Sequence, residues 1–257
     1  MLKRIFSGLL YLFVCSVTAQ AADKKFLEQI DRAGEQRMLT QRITKSFLQL
    51  GLNVQPLVAK QELDEATTRF EHNLVFLETG AGGDMKNSLD HLRASWLNFR
   101  SATRGLPSLP SAVWLSHQGD EVLHAAERVV RALQNSSPNA TLASGRLVAQ
   151  AGRQRMLSQR IVKAYLLLSW GDRSELTREE LETSVNEFAG ALSRMRSLGD
   201  NPPDVQRELE EMSQHWEWMK AALSADGANS YRLIVAEAGE AILQSSERLT
   251  KLYASAP

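Results

Sequence analysis

Two arginines, Arg37 and Arg155, stand in nearly identical stretches of this chain and have the chemistry to bind an anion. The stretches 33–45 and 151–163 agree at ten of thirteen positions, at an offset of 118 residues. A guanidinium presents a planar fork of N–H donors, which matches the geometry of an oxyanion. The repeat therefore predicts a site to which each copy contributes an arginine.

The other candidate ligand-binding residues belong to the same repeated segment. On a helical wheel at about 100° per residue, Gly34, Arg37 and Gln41 share a face that is separate from the apolar stripe of Leu39 and Ile43. A glycine there would let two helix backbones approach closely. The full set is Arg37, Arg42, Gly34 and Gln41 in the first copy, with Arg155, Arg160, Gly152 and Gln159 in the second.

Two roles are open for these arginines. Guanidiniums that face each other across a helix pair repel and have lost water, so a bound planar anion would relieve both costs and tighten the helices. Alternatively, the arginines are structural and pair with acids within reach, namely Asp31, Glu35, Glu28 and Glu62.

The elements that must position these residues are helices. Glycine and proline are sparse and clumped, and no β-branched alternation appears, so the sequence predicts an all-α fold. Four helices are expected in each copy, and their short connections favour antiparallel neighbours. We predict two tandem antiparallel four-helix bundles that form an intrachain pseudo-dimer, with the first in 22–134 and the second in 135–257. The predicted helices are 24–52, 56–79, 84–104, 110–134, 140–170, 175–198, 203–224 and 229–254.

Composition argues against several functions. Lys+Arg and Asp+Glu number 30 each, so no basic field favours nucleic acid. The five histidines form no metal-binding pattern, and we expect neither a metal nor a cofactor. Nucleophile–base motifs and phosphate-binding loops are lacking as well, so we do not expect an enzyme.

The first 21 residues have the pattern of a signal peptide. Lys3 and Arg4 precede the apolar stretch 5–17, which is shorter than a membrane span, and Ala19-Gln20-Ala21 fits the cleavage rule. We therefore expect a periplasmic protein, and a retained N-terminal anchor is the less favoured alternative. Cleavage would remove the only cysteine, Cys15, and with it any disulfide chemistry.

The repeated segment resembles the signature of a known family. Its pattern of Ala-Gly, Arg-Met and Arg-Ile pairs is similar to that in the periplasmic N-terminal domain of PilJ-type methyl-accepting transducers and in the sensor domain of nitrate/nitrite sensor kinases. In the nitrate-sensing relatives, the resemblance implies, arginines at the positions of Arg37 and Arg155 meet at a dimer interface and hold one small anion. Transmembrane helices and output domains of those relatives are not expected here.

These observations predict a periplasmic sensory protein for a small oxyanion, nitrate or nitrite first, that signals through a membrane-bound receptor or kinase. The alternative is a ligand-free helical adaptor that docks on a membrane chemoreceptor or a pilus-associated complex.

Overall fold

The computed structural model describes the backbone of residues 2–79, 81–136, 143–225 and 228–255, and the side chains of these residues except 2–24, 143–145 and 228–230. The described residues form eight α-helices and no strand, which confirms the predicted fold class. In chain order they are α1 (Leu2–Gly51), α2 (Pro56–Glu78), α3 (Gly83–Ala102), α4 (Leu109–Ser136), α5 (Ala143–Trp170), α6 (Glu175–Arg196), α7 (Pro203–Ser224) and α8 (Ala228–Ser255).

Local sequence explains where the helices begin and end. Pro56 and Pro203 occupy first-turn positions, where the fixed φ of proline suits a helix and its missing N–H costs nothing. Ser174 caps α6 by accepting a hydrogen bond from the backbone N–H of Thr177. Gly171 ends α5 with a φ of 115°, a conformation that residues with a side chain rarely adopt.

The largest difference from the predicted boundaries is at the start of α1. This helix was expected to begin near residue 24, but it begins at Leu2 and is continuous through the predicted cleavage site. The Ala-rich stretch 19–22 contains no proline or glycine, so nothing there interrupts the helix. The side chains of the predicted signal peptide and part of the linker 134–139 lie outside the described residues.

Each copy packs around its own aromatic pair. In the first copy the rings of Phe70 and Trp96 stack with centroids 3.9 Å apart, and in the second Phe188 and Trp216 lie 4.6 Å apart. All four side chains are buried. Burial of such large apolar surfaces is the main stabilisation of a helical bundle.

The first helices of the two copies, α1 and α5, pack against each other. Around this pair, α2 and α4 pack on α1, α6 and α8 pack on α5, α3 packs on α4, and α7 packs on α8. The pair is parallel, because Arg155 contacts Asp31 near one end and Trp170 contacts Gly51 near the other. The two bundles therefore stand side by side in one orientation, as a pseudo-dimer.

Candidate functional site: the arginines of the α1–α5 interface

The repeated segments belong to α1 and α5, which pack against each other, and most of their polar side chains are buried. Arg37 is 7% exposed and Arg155 is 3% exposed, while Gln41 and Gln159 are buried. The amide oxygens of both glutamines are buried without a hydrogen-bond partner among the described residues. Buried polar groups are costly unless they are paired, so the surroundings of each arginine decide its role.

Arg155 is neutralised by carboxylates of the first copy. Its Nη2 lies 2.5 Å from Oδ1 of Asp31, and its Nη1 lies 3.9 Å from Oε1 of Glu35. Glu35 is itself held by an ion pair with Arg69 and by the Asn73 amide, which donates to it at 2.6 Å. The charge of Arg155 is therefore compensated within a network of hydrogen bonds and ion pairs.

Arg37 has no such compensation. Among the side chains that the structure describes, none makes a hydrogen bond or an ion pair with its guanidinium. Burial lowers the pKa of Arg37 to about 10. The charge of Glu127 is the next largest effect and raises the pKa, while the positive charges of Arg153 and Arg155 lower it. A cation that is buried beside other cations is unstable until an anion joins it.

The Arg37 guanidinium borders a cleft of about 400 Å³ at the junction of α1, α4 and α5. Two further arginines, Arg131 and Arg153, line the same cleft, and its one acidic side chain is Glu127. The lining is completed by Val130, Gln134, Ala149 and Gln150. A cleft with three guanidiniums and one carboxylate has the electrostatic character of an anion site.

The two arginines differ in environment because the repeat differs at two positions. At the offset of 118 residues, Ala149 stands where Asp31 stands, and Arg153 stands where Glu35 stands. Each arginine faces these positions on the other copy, so Arg155 meets two acids while Arg37 meets a methyl group and a cation. The pseudo-symmetry of the backbone is retained, but the charge pattern is inverted.

A surface ion pair shows the same inversion. In the first copy Glu35 pairs with Arg69, whereas in the second Arg153 pairs with Glu187 at 2.7 Å. The two pairs occupy equivalent positions, with acid and base exchanged. Each ion pair is neutral as a whole. The member that lies next to the α1–α5 interface, however, is the acid Glu35 in the first copy and the base Arg153 in the second.

Arg42 and Arg160 lie apart from this cleft, in two buried ion-pair clusters. Arg42 lies 2.8 Å from Glu240 and 3.5 Å from Glu62, and Lys45, which is 1% exposed, lies 2.9 Å from Glu62. Because Glu240 belongs to α8, this cluster connects the two bundles. The contacts of Arg42 are therefore those of an interface residue.

The equivalent cluster in the second copy has the same kinds of residues, except that Asp120 takes the place of Glu240. Arg160 and Lys163 lie 2.9 Å and 2.7 Å from Glu180, and Lys163 lies 3.7 Å from Asp120 on α4. Lys163 is also 1% exposed. Sequence reasoning missed both lysines, although each is conserved between the copies three residues after its arginine.

The repeated glycines, Gly34 and Gly152, make room for the arginine side chains of their own helices, and they do not bring two helix backbones together as expected. A Cβ built at Gly34 would meet one atom within 4 Å, Nη2 of Arg37 at 3.7 Å, and at Gly152 it would meet Nη2 of Arg155 at 3.3 Å. No atom of a neighbouring helix is that close. The glycines thus leave room for each guanidinium to lie along its own helix, one turn back.

No group of three or more metal-ligating side chains occurs among the described residues. No helix in the described part of the chain has a stretch long and apolar enough to cross a membrane.

Two tandem helical bundles that pack side by side through α1 and α5 define the architecture of the chain. The chain belongs to the PilJ family, because the model described as "Type IV pili methyl-accepting chemotaxis transducer N-term" matches residues 23–129 and 139–249. The predicted resemblance to PilJ-type transducers and the two tandem copies are thereby confirmed. This is a family of chemotaxis-transducer sensory domains and is not a known enzyme family. No curated protein and no solved structure gives a significant match to the chain.

Proposed function

We propose that the chain is a periplasmic sensory protein that binds a small oxyanion in the cleft beside Arg37 and signals through a membrane partner. Nitrate and nitrite are the first candidates for the anion. The observation that carries the proposal is that Arg37 is 7% exposed as a residue and that its guanidinium makes no ion pair or hydrogen bond with any described residue.

The energetic argument starts from the cost of this arrangement. A buried and uncompensated charge destabilises a protein by several kcal/mol, so the Arg37 guanidinium weakens the packing of α1 against α4 and α5 unless an anion accompanies it. An anion would accept forked hydrogen bonds from Arg37 and lie close to Arg131, which lines the same cleft. Binding would therefore tighten the contact of α1, α4 and α5, which is the kind of change that a sensory domain transmits.

The cellular setting of this proposal rests on the N-terminal segment and on the family. The basic residues, apolar stretch and Ala19-Gln20-Ala21 of the N-terminus support export, and cleavage would leave Ala22 as the first residue. N-terminal sequencing of the exported protein tests this directly. Domains of this family occur in membrane chemoreceptors, which supports a membrane-bound receptor or kinase as the partner.

A charge placed in the cleft gives a sharp test of the binding site. In Ala149→Asp, the new carboxylate occupies the position from which Asp31 neutralises Arg155, so it should neutralise Arg37 and exclude an anion. Ala221→Asp, on the exposed face of α7, is the matched control. Isothermal calorimetry and thermal denaturation with sodium nitrate, sodium nitrite and sodium chloride are the measurements.

We expect nitrate or nitrite to stabilise the wild type and the control, by about 2.7 kcal/mol at a hundredfold excess over Kd. Ala149→Asp should be stable without the ligand and should not respond to it. A wild type that does not respond to small anions, or an Ala149→Asp variant that binds as well as the wild type, would contradict the proposal.

The adaptor function is a second candidate, and one feature favours it. Several large apolar side chains are exposed at the end of the molecule where α1 ends and α2 begins, among them Leu57, Leu106, Trp114 and Leu176. Exposed apolar clusters of this kind are typical of protein interfaces. If Leu106→Asp with Leu176→Asp abolishes association with a membrane chemoreceptor while anions have no effect, the adaptor is the better account.

A further inference from the structure

We infer that Asp31 and Glu35 act as built-in ligands of Arg155, so that only one of the two pseudo-symmetric arginines, Arg37, can bind an external anion. This inference rests on the proposed function and concerns the stoichiometry and regulation of the same interface. It assigns a role to two acidic side chains of the first copy that have no equivalents in the second.

The geometry around Arg155 is that of an occupied anion site. A carboxylate and a small planar oxyanion present the same kind of acceptor to a guanidinium fork. Asp31 places its Oδ1 2.5 Å from Nη2 of Arg155, and Oε1 of Glu35 lies 3.9 Å from Nη1. Because both acids belong to the same chain, their effective concentration at the arginine is high and a free anion competes poorly.

The exposure of the two acids indicates which of them takes the place of an external anion at Arg155. The side chain of Asp31 is 39% exposed, whereas those of Glu35 and Arg155 are 5% and 3% exposed. Asp31 therefore lies on the solvent side of Arg155, in the position of an entering ligand. Glu35 is more deeply buried than Asp31, and Arg69 and Asn73 hold its carboxylate in place.

The half of the interface that contains Arg37 lacks both groups. Ala149 offers a methyl group in place of the carboxylate of Asp31, and the space it leaves is part of the cleft. Arg153 replaces Glu35 and adds a positive charge. An anion bound beside Arg37 would thus give this half the compensation that Asp31 provides permanently to Arg155, and the two halves would become electrostatically alike.

The experiment counts anions per chain with nitrate as the probe, in a buffer without other small oxyanions. Isothermal calorimetry on the wild type should give one nitrate per chain. In the double variant Asp31→Asn with Glu35→Gln, Arg155 loses its built-in ligands, and the count should rise to two. The exposed pair Asp204→Asn with Glu210→Gln on α7 removes the same charge elsewhere and should leave the count at one.

The fold is expected to survive this change, because Arg37 is already tolerated without a counterion at the equivalent position. Asp31→Ala, which copies the residue found at 149, is the milder second variant, and circular dichroism checks that each variant is helical. Two anions bound by the wild type, or one anion bound by both the wild type and a folded double variant, would overturn the inference and leave the Arg37 site standing. A wild type that binds no anion would instead overturn the proposed function, and this inference with it.

Discussion

Oδ1 of Asp31 in the first copy lies 2.5 Å from Nη2 of Arg155 in the second, across the interface of α1 and α5. The reciprocal contact does not exist, because the residue equivalent to Asp31 is Ala149. A duplicated domain has therefore lost its electrostatic symmetry while its helices keep their pseudo-symmetric arrangement. Arg37, which has no ion-pair partner among the described side chains, is the candidate binding residue.

Replacement of the two arginines should have opposite effects on stability. Arg37→Met removes a buried and uncompensated charge and keeps an apolar stem of similar length, so the free energy of unfolding should rise by about 1–3 kcal/mol. Arg155→Met should lower it by about 3 kcal/mol, since Asp31 then loses its cation and Glu35 keeps only Arg69. Urea denaturation of the two variants without ligand is the measurement. Equal destabilisation by both substitutions would mean that Arg37 has a structural counterion.

Acid stability should depend on the two ion-pair clusters. Although burial raises the pKa of Glu62, the charge of Lys45 and its hydrogen bond outweigh this effect, and the pKa lies below the ordinary value of 4.5. The same holds for Glu180 beside Lys163 and Arg160. A carboxylate with a lowered pKa in the folded state stabilises the protein above its unfolded pKa and loses this contribution as the pH falls through its folded pKa.

We therefore expect the free energy of unfolding to fall as the pH drops below about 4.5, and Glu62→Gln to weaken this dependence. At neutral pH Glu62→Gln should cost about 3 kcal/mol, because Lys45 is left buried without its nearest partner. Glu65→Gln, on the exposed face of α2, is the matched control. Denaturation curves between pH 3 and 7 measure both effects, and an unchanged acid limb in Glu62→Gln would refute the assignment.

The close packing of α5 and α8 depends on Gly239. A Cβ at this position would lie 2.3 Å from Cγ2 of Val162, and both residues are buried. Gly239→Ala should therefore destabilise the protein by about 1–2 kcal/mol, even though alanine favours a helix. Gly190→Ala, where the new Cβ meets only Nη1 of Arg194, should be neutral or stabilise by up to about 1 kcal/mol. Thermal denaturation distinguishes the two, and a stabilising Gly239→Ala would contradict the observed packing.

The fold could be predicted well from the sequence. Proline and glycine positions and apolar periodicity locate the helices to within a few residues, apart from the start of α1 and the first residues of α5. The offset of the repeat predicts that α1 and α5 pair in parallel. These features depend on local propensity and on the duplication, which are both visible in one sequence.

The candidate site could be predicted only in part, because its chemistry depends on the partners of each arginine. The repeat identifies Arg37 and Arg155 but does not indicate that Arg155 faces two acids while Arg37 faces Ala149. Those contacts depend on the rotation of α1 against α5, to which periodicity is insensitive. The buried lysines were missed for a related reason: Lys45 receives its carboxylates from α2 and α8, which are remote in sequence.

The most direct test of the account is an NMR titration of the arginine Nε–H groups with nitrate, in the full chain labelled with ¹⁵N-arginine. The Arg37 signal is assigned by its loss in Arg37→Met, and the Arg155 signal by its loss in Arg155→Met. We predict that nitrate shifts the Arg37 signal in a saturable manner. The Arg155 signal should stay nearly unchanged, because the carboxylate of Asp31 is already paired with the Arg155 guanidinium. Equal shifts of both signals would contradict the one-sided site, and no shift of either would contradict anion binding at this interface.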